Sequence, residues 1–141
     1  MTDKIFLDTN ILVYLFDKSE KQKQDVIKNL IGEHIQKSKI FISVQVINEF
    51  ISITSKKITF PILPDKQNKI IELLNELFLI SPLYYKTTLN ALKILGRYKL
   101  SFWDSLIVSS ALENNCNILF TEDMQNGLVL DDNLEIVNPF K

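Results

Sequence analysis

Three short runs of this chain contain no polar residue: Ile5-Phe6-Leu7, Ile40-Phe41-Ile42 and Ile118-Leu119-Phe120. A strand wetted on one face alternates apolar and polar side chains, whereas a strand covered on both faces reads as a continuous apolar stretch. Segments of helical length lie between the runs, so the strands are expected to run parallel, joined by helical crossovers. This pattern implies an α/β fold of three layers, with a short central parallel sheet flanked by helices. Leu134-Glu135-Ile136-Val137, ended by Pro139, predicts a fourth short strand.

The helices have their own signals. Asp8-Thr9-Asn10 are helix-capping residue types, and the apolar segment Ile11 to Phe16 follows them. Val26, Ile27, Leu30, Ile31 and Ile35 recur at helical spacing, and Ser43 is placed to cap a helix through Ile51. Pro61 and Pro64 interrupt the pattern. From Asp65 a helix is expected through Ile70, Ile71, Leu73, Leu74, Leu77 and Phe78, with Pro82 stopping it. Tyr85 to Tyr98 reads as a helix with Leu89, Leu92 and Leu95 inward and Lys86, Lys93 and Arg97 outward, and Ser101 opens another through Leu112.

Composition narrows the function classes. The 141 residues are expected to form one domain, 1–141, and 46% hydrophobic with 23% charged residues is an ordinary globular balance. No apolar run approaches a membrane span and no cleavable leader pattern is present, so a cytoplasmic protein away from membranes is expected. One cysteine, Cys116, excludes an intrachain disulfide, and with one histidine, His34, it excludes a Cys/His zinc site. His34 falls on a wet helix and reads as a surface residue. A net charge of −1, with Arg97 the sole arginine, excludes coating of nucleic acid by bulk electrostatics or recognition by several arginine forks. A phosphate-bearing ligand would need a bound cation or a few lysines, such as Lys56, Lys57, Lys86, Lys93 and Lys99.

The candidate chemistry is carboxylate chemistry. Asp8 sits where a buried strand gives way to a helix, at the strand-end crevice where open α/β sheets bind ligands; alone, it is equally an N-cap. Asp123 follows the strand Ile118 to Thr121 in the same way, with turn aspartate as its plain alternative and Glu122 as another ligand from the same turn. Asp104 shares its helical stripe with Ile107, Val108 and Ala111, at the rim of a buried face where a carboxylate needs a cation or strong donors. Glu49, alone, reads as a solvated helix position. Acids converging without a cationic partner would repel one another, and a hard divalent cation, Mg²⁺ or Mn²⁺, is the simplest neutraliser.

Phe6-Leu7-Asp8-Thr9-Asn10-Ile11-Leu12-Val13-Tyr14, Val46-Ile47-Asn48-Glu49-Phe50, Phe102-Trp103-Asp104-Ser105-Leu106-Ile107 and Leu119-Phe120-Thr121-Glu122-Asp123-Met124-Gln125, in that order, resemble the PIN-domain ribonucleases. More narrowly, they resemble the toxins of VapBC-type toxin–antitoxin pairs, and the length fits a stand-alone toxin. The resemblance implies a PIN-like domain of four to five parallel strands. It implies an acidic site of Asp8, Glu49, Asp104 and Asp123, with Asp8, Asp104 and Asp123 nearest a Mg²⁺ or Mn²⁺ ion. Thr9, Asn10 and Thr121 match polar positions that orient those acids. The implied reaction is hydrolysis of RNA, transfer or ribosomal, by a metal-activated water, leaving 5′-phosphate and 3′-hydroxyl ends. A cognate antitoxin and a homodimer are the implied partners. Two other classes compete: a catalytically silent PIN-like module that binds RNA or a protein, and a phosphoacceptor α/β domain. Against the second, this chain lacks paired acids at the first strand end, an Asp-x-Asp after it and a lysine closing the last strand.

Overall fold

The computed structural model describes residues 2–141. Its elements in chain order are β1 (Lys4–Leu7), α1 (Thr9–Phe16), α2 (Lys21–His34), β2 (Lys39–Ser43), α3 (Val44–Lys56) and α4 (Pro64–Leu77). Then follow β3 (Leu79–Ser81), α5 (Tyr85–Arg97), α6 (Phe102–Glu113), β4 (Ile118–Phe120), β5 (Val129–Leu130) and β6 (Leu134–Val137). The sheet order is β3-β2-β1-β4-β6-β5. Every pairing is parallel except that of β5 with β6.

The apolar runs are buried as their composition requires. Ile5, Phe6, Leu7, Ile42 and Leu119 are essentially inaccessible, and Ile11, Leu12, Ile27, Phe50, Leu74 and Ile107 close over them from the helices. Chain order turns at β1: β2 and β3 extend the sheet to one side, β4 and β6 to the other. The C-terminal ends of β1 and β4 therefore flank a topological switch point, the place where such sheets hold ligands. Capping follows the sequence closely. Asp8 accepts from the Thr9 N–H at the start of α1, Ser43 from Val46, and Ser101 from Asp104, while Pro64 occupies the first turn of α4 where its missing N–H is harmless.

Two strands were not anticipated. Helix α4 ends at Leu77, Phe78 is extended, and Leu79-Ile80-Ser81 forms edge strand β3, so the apolar stripe read as helix through Phe78 contains a change of structure. Strand β5 is the antiparallel arm of a hairpin whose turn carries Asp131 and Asp132 at φ of 51° and 60°. Aspartate reaches this left-handed region more readily than most residues, but without a glycine the turn has no strong signature.

Helix α5 is oriented differently from the sequence reading. Thr87, Ala91 and Ile94 face inward, and Leu89, Leu92 and Leu95 are exposed. The small residues let α5 lie close against α6, where the Ser109 hydroxyl donates to the Thr87 carbonyl at 2.8 Å and Thr87 Oγ1 donates to Glu113 at 3.0 Å. Helix α6 is buried over seven consecutive residues, Ser105 to Ala111, rather than along one stripe. Val26 is also exposed. His34 is half-buried, its ring tilted against Phe120 at 6.0 Å and Nδ1 3.3 Å from Ser38 Oγ, so it is a packing residue rather than a free surface one.

Candidate active site

β1 and β4 are paired with Leu7 beside Phe120, and the Asp8 N–H donates to the Phe120 carbonyl at 3.0 Å. Residues just past both strands are thereby brought side by side although 113 positions apart in sequence. Asp8 is buried, with one oxygen accepting from Thr9 N–H at 2.7 Å and the other from Thr121 Oγ1 at 2.7 Å. Thr121 Oγ1 also accepts from the Asp123 N–H at 3.2 Å. Asn10 Nδ2 donates to Asp123 Oδ2 at 2.8 Å, and Thr9 Oγ1 donates to Glu49 Oε1 at 2.6 Å. Asp104 approaches from the first turn of α6.

Asp8, Glu49, Asp104 and Asp123 all line one cleft of about 520 Å³, together with Thr9 and Asn10. Asp17 and Glu20 also line it and add negative charge, and Lys57 is its one lining cation among the described residues. Of the five lysines considered as phosphate contacts, Lys57 alone reaches this cleft. The electrostatics follow from burial and crowding. Burial, with the charges of Asp104 and Asp123 adding to it, pushes the Asp8 carboxyl up to about 7 against the hydrogen bonds from Thr121 and Thr9. Burial, then the charges of Asp123 and Glu49, also raises Asp104.

Among the described residues, no three His, Cys, Asp or Glu side chains are gathered closely enough to ligate one ion directly. The donor set is nevertheless all hard oxygen, open to water and crowded with like charge. That fits Mg²⁺, which keeps several waters and needs only one or two protein carboxylates. Cys116 is buried, its thiol pushed up to about 12 by burial, and has no part in the cleft.

Glu122, the alternative ligand of the turn, points elsewhere. It pairs with Lys23, whose ammonium also bonds the Tyr14 hydroxyl at 3.1 Å and stands over the Tyr14 and Phe140 rings at 4.7 and 5.1 Å. Burial would raise the Glu122 carboxyl, but the Lys23 and Tyr14 hydrogen bonds outweigh it and hold it below the usual range. Sequence reasoning missed this clamp because Lys23 and Glu122 lie 99 residues apart.

The PIN domain family model matches residues 5–125, which contain the whole of this cleft. The chain belongs to the PIN domain family. Solved structures of similar fold include a toxin–antitoxin complex from Klebsiella pneumoniae, with TM-score 0.70 and 18% identity, covering 97% of this chain and 98% of that one. VapBC-1 from nontypeable Haemophilus influenzae is similar at TM-score 0.66 and 20% identity, covering 98% and 99% of the two chains. VapC20 of Mycobacterium tuberculosis, described as a sarcin–ricin loop cleaving toxin, is similar at TM-score 0.66 and 14% identity over 82% of this chain and 86% of that one. No curated protein matches the chain. Among the described residues, no helix of this PIN domain is long and apolar enough to cross a membrane.

Proposed function

We propose that this PIN domain is a divalent-metal-dependent endoribonuclease acting as the toxin of a toxin–antitoxin pair. The observation that carries the reading is the convergence of Asp8, Glu49, Asp104 and Asp123 on one cleft, three of them held by neutral donors rather than by a cation of the chain. A fold gains no stability from crowding carboxylates in this way. The cluster is explained if an ion and a phosphodiester complete it.

Asp8, Asp104 and Asp123 would hold the cation between them, directly or through its coordinated waters, with Mg²⁺ or Mn²⁺ fitting the oxygen donors. When bound, such a cation lowers the pKa of a coordinated water and neutralises charge on the phosphoryl oxygens. Thr121 and Asn10 fix the Asp8 and Asp123 carboxylates, and Thr9 fixes Glu49 through one oxygen, leaving the other for a water. Lys57 gives the cleft one point charge for a backbone phosphate. RNA is the substrate class that the resemblance and the VapC20 likeness support, with a transfer or ribosomal RNA as target. Similar folds described as toxin–antitoxin complexes support an antitoxin partner. Exposed Leu73, Leu77, Leu79, Leu89 and Leu92, beside and beyond edge strand β3, support a homodimer.

The test is cleavage of a mixed transfer and ribosomal RNA pool by the purified chain in Mg²⁺, in Mn²⁺ and in chelator, with Asp104→Asn in parallel. Metal-dependent cutting that the substitution abolishes supports the reading, and cutting that survives both chelator and substitution overturns it. Among the described residues no three acids are gathered closely enough to ligate one ion directly, and this favours one second reading, a silent module that binds RNA. Metal and RNA binding without cutting of total cellular RNA would identify it.

A further inference from the structure

A second recess opens beside the acidic cleft and shares Glu49 with it. Its walls are Leu83, Leu106 and Trp103, with Gln45 and Asn48 as the remaining polar groups, and its volume is about 310 Å³. Trp103 immediately precedes Asp104 and is 60% exposed, a large apolar ring left in water at the rim of a charged site. Phe102 meets its edge at a ring separation of 5.3 Å and 72°, which supports the indole from one side.

Gln45 supplies an independent observation. Its side chain is 5% exposed, and Nε2 donates to the Trp103 carbonyl at 3.1 Å. A carbonyl cannot donate, so this bond fixes which end of the amide is nitrogen. Oε1 is then a buried acceptor with no partner among the described residues. An unpaired buried acceptor is unfavourable, and an N–H that reaches it removes that penalty.

Building on the nuclease reading, we infer that this recess is a nucleobase subsite: a base flanking the phosphate in the acidic cleft stacks on Trp103 and offers an N–H edge toward Gln45. The chemistry suits a base closely. A base has two apolar π-faces for the indole and Leu83, and each of the four RNA bases carries at least one N–H donor on its Watson–Crick edge. The shared Glu49 makes the recess continuous with the acids, so one strand can occupy both. With one arginine and a net charge of −1 the chain has little bulk charge for phosphate contacts, and stacking supplies affinity that does not depend on charge.

Trp103 is the one tryptophan of the chain, so its emission reports on this recess alone. The experiment titrates a single-stranded, end-labelled oligoribonucleotide into the wild type, Trp103→Phe and Trp103→Ala, with Ca²⁺ replacing Mg²⁺ to slow cleavage. Label anisotropy and tryptophan emission are read together. Saturable quenching that follows the anisotropy is expected, with binding weakened about 5- to 140-fold by Trp103→Ala and far less by Trp103→Phe. An oligomer of the same length lacking bases should quench little. Circular dichroism and melting should be unchanged in both variants, because the ring is mostly solvated. Binding by anisotropy with unaltered emission and undiminished Trp103→Ala affinity overturns the subsite while leaving the nuclease reading intact. Failure of the wild type to bind or cut any RNA overturns both. Emission that shifts with protein concentration, in step with a dimer in sedimentation and indifferent to RNA, would assign the recess to a second copy of the chain and overturn the proposal.

Discussion

Glu122 and Asp123 are consecutive residues of one turn and belong to opposite electrostatic regimes. On one side of the turn, Glu122 meets Lys23 and Tyr14 in a closed set of partners, and its carboxyl lies below the usual range. On the other, the Asp123 carboxylate accepts from Asn10 and shares its cleft with Asp8 and Asp104, whose carboxyls lie above the usual range. The first arrangement is complete within the chain and ties α2, the turn and the C-terminal Phe140 together. On the proposed reading, a cation completes the second. Internal neutralisation fits a structural carboxylate, and neutral anchoring among like charges fits the ligand-binding role proposed for Asp123.

The sharpest way to break this contrast is Asp104→Asn. It should reduce RNA cleavage roughly 10³-fold and leave the melting temperature equal or higher, because a crowded charge is removed. An unfolded variant would instead make Asp104 a structural group. Next in size is the pH dependence of stability. Asp8 is pushed up to about 7 from 3.8, so the folded chain binds its proton more tightly than the unfolded chain does. Stability in chelator should therefore fall as pH rises from about 4 to about 7 and level off above that. Asp8→Asn, which keeps a capping side chain, should flatten this slope and raise stability near pH 8 by about 2–4 kcal/mol in chemical denaturation. Mg²⁺ should stabilise the wild type at that pH and the variant much less.

A smaller effect is expected of Thr9→Val, which removes the 2.6 Å bond to Glu49. Its kcat/KM on RNA should fall about 10-fold, with stability changed by about 1 kcal/mol. On the other side of the turn, Glu122→Gln should lower stability by about 0.5–1 kcal/mol, less at high salt, and alter cleavage by no more than about 3-fold. A larger loss of activity would mean that the clamp sets the position of Asp123. The least effect belongs to Lys57→Gln, which should leave metal binding alone and reduce the salt slope of RNA binding by about one.

Much of the fold was legible because its signals are local. Ile5-Phe6-Leu7 and Ile118-Leu119-Phe120 could only be doubly covered strands, and Ser43 and Ser101 cap the helices that they precede. Leu79-Ile80-Ser81 escaped because three apolar-rich residues continue a helical stripe as readily as they form an edge strand. The α5 reading failed for a different reason. Leucine spacing identifies an apolar face, but packing chose the smaller Thr87–Ala91 face because it permits the closer approach to α6.

The four acids came as a set only through the PIN-domain resemblance; what the sequence by itself determined was the doubly covered parallel strands and the caps. Each of those depends on neighbours within a few positions, which periodicity and residue type record. Tertiary structure alone decided that Glu122 turns to Lys23 while Asp123 turns to the cleft, which carboxylate each of Thr9, Asn10 and Thr121 reaches, and that Gln45 joins Trp103 beside them. Those partners are separated by 40 to 113 residues, and only the pairing of β1 with β4 and the seating of α2, α3 and α6 bring them within hydrogen-bonding distance.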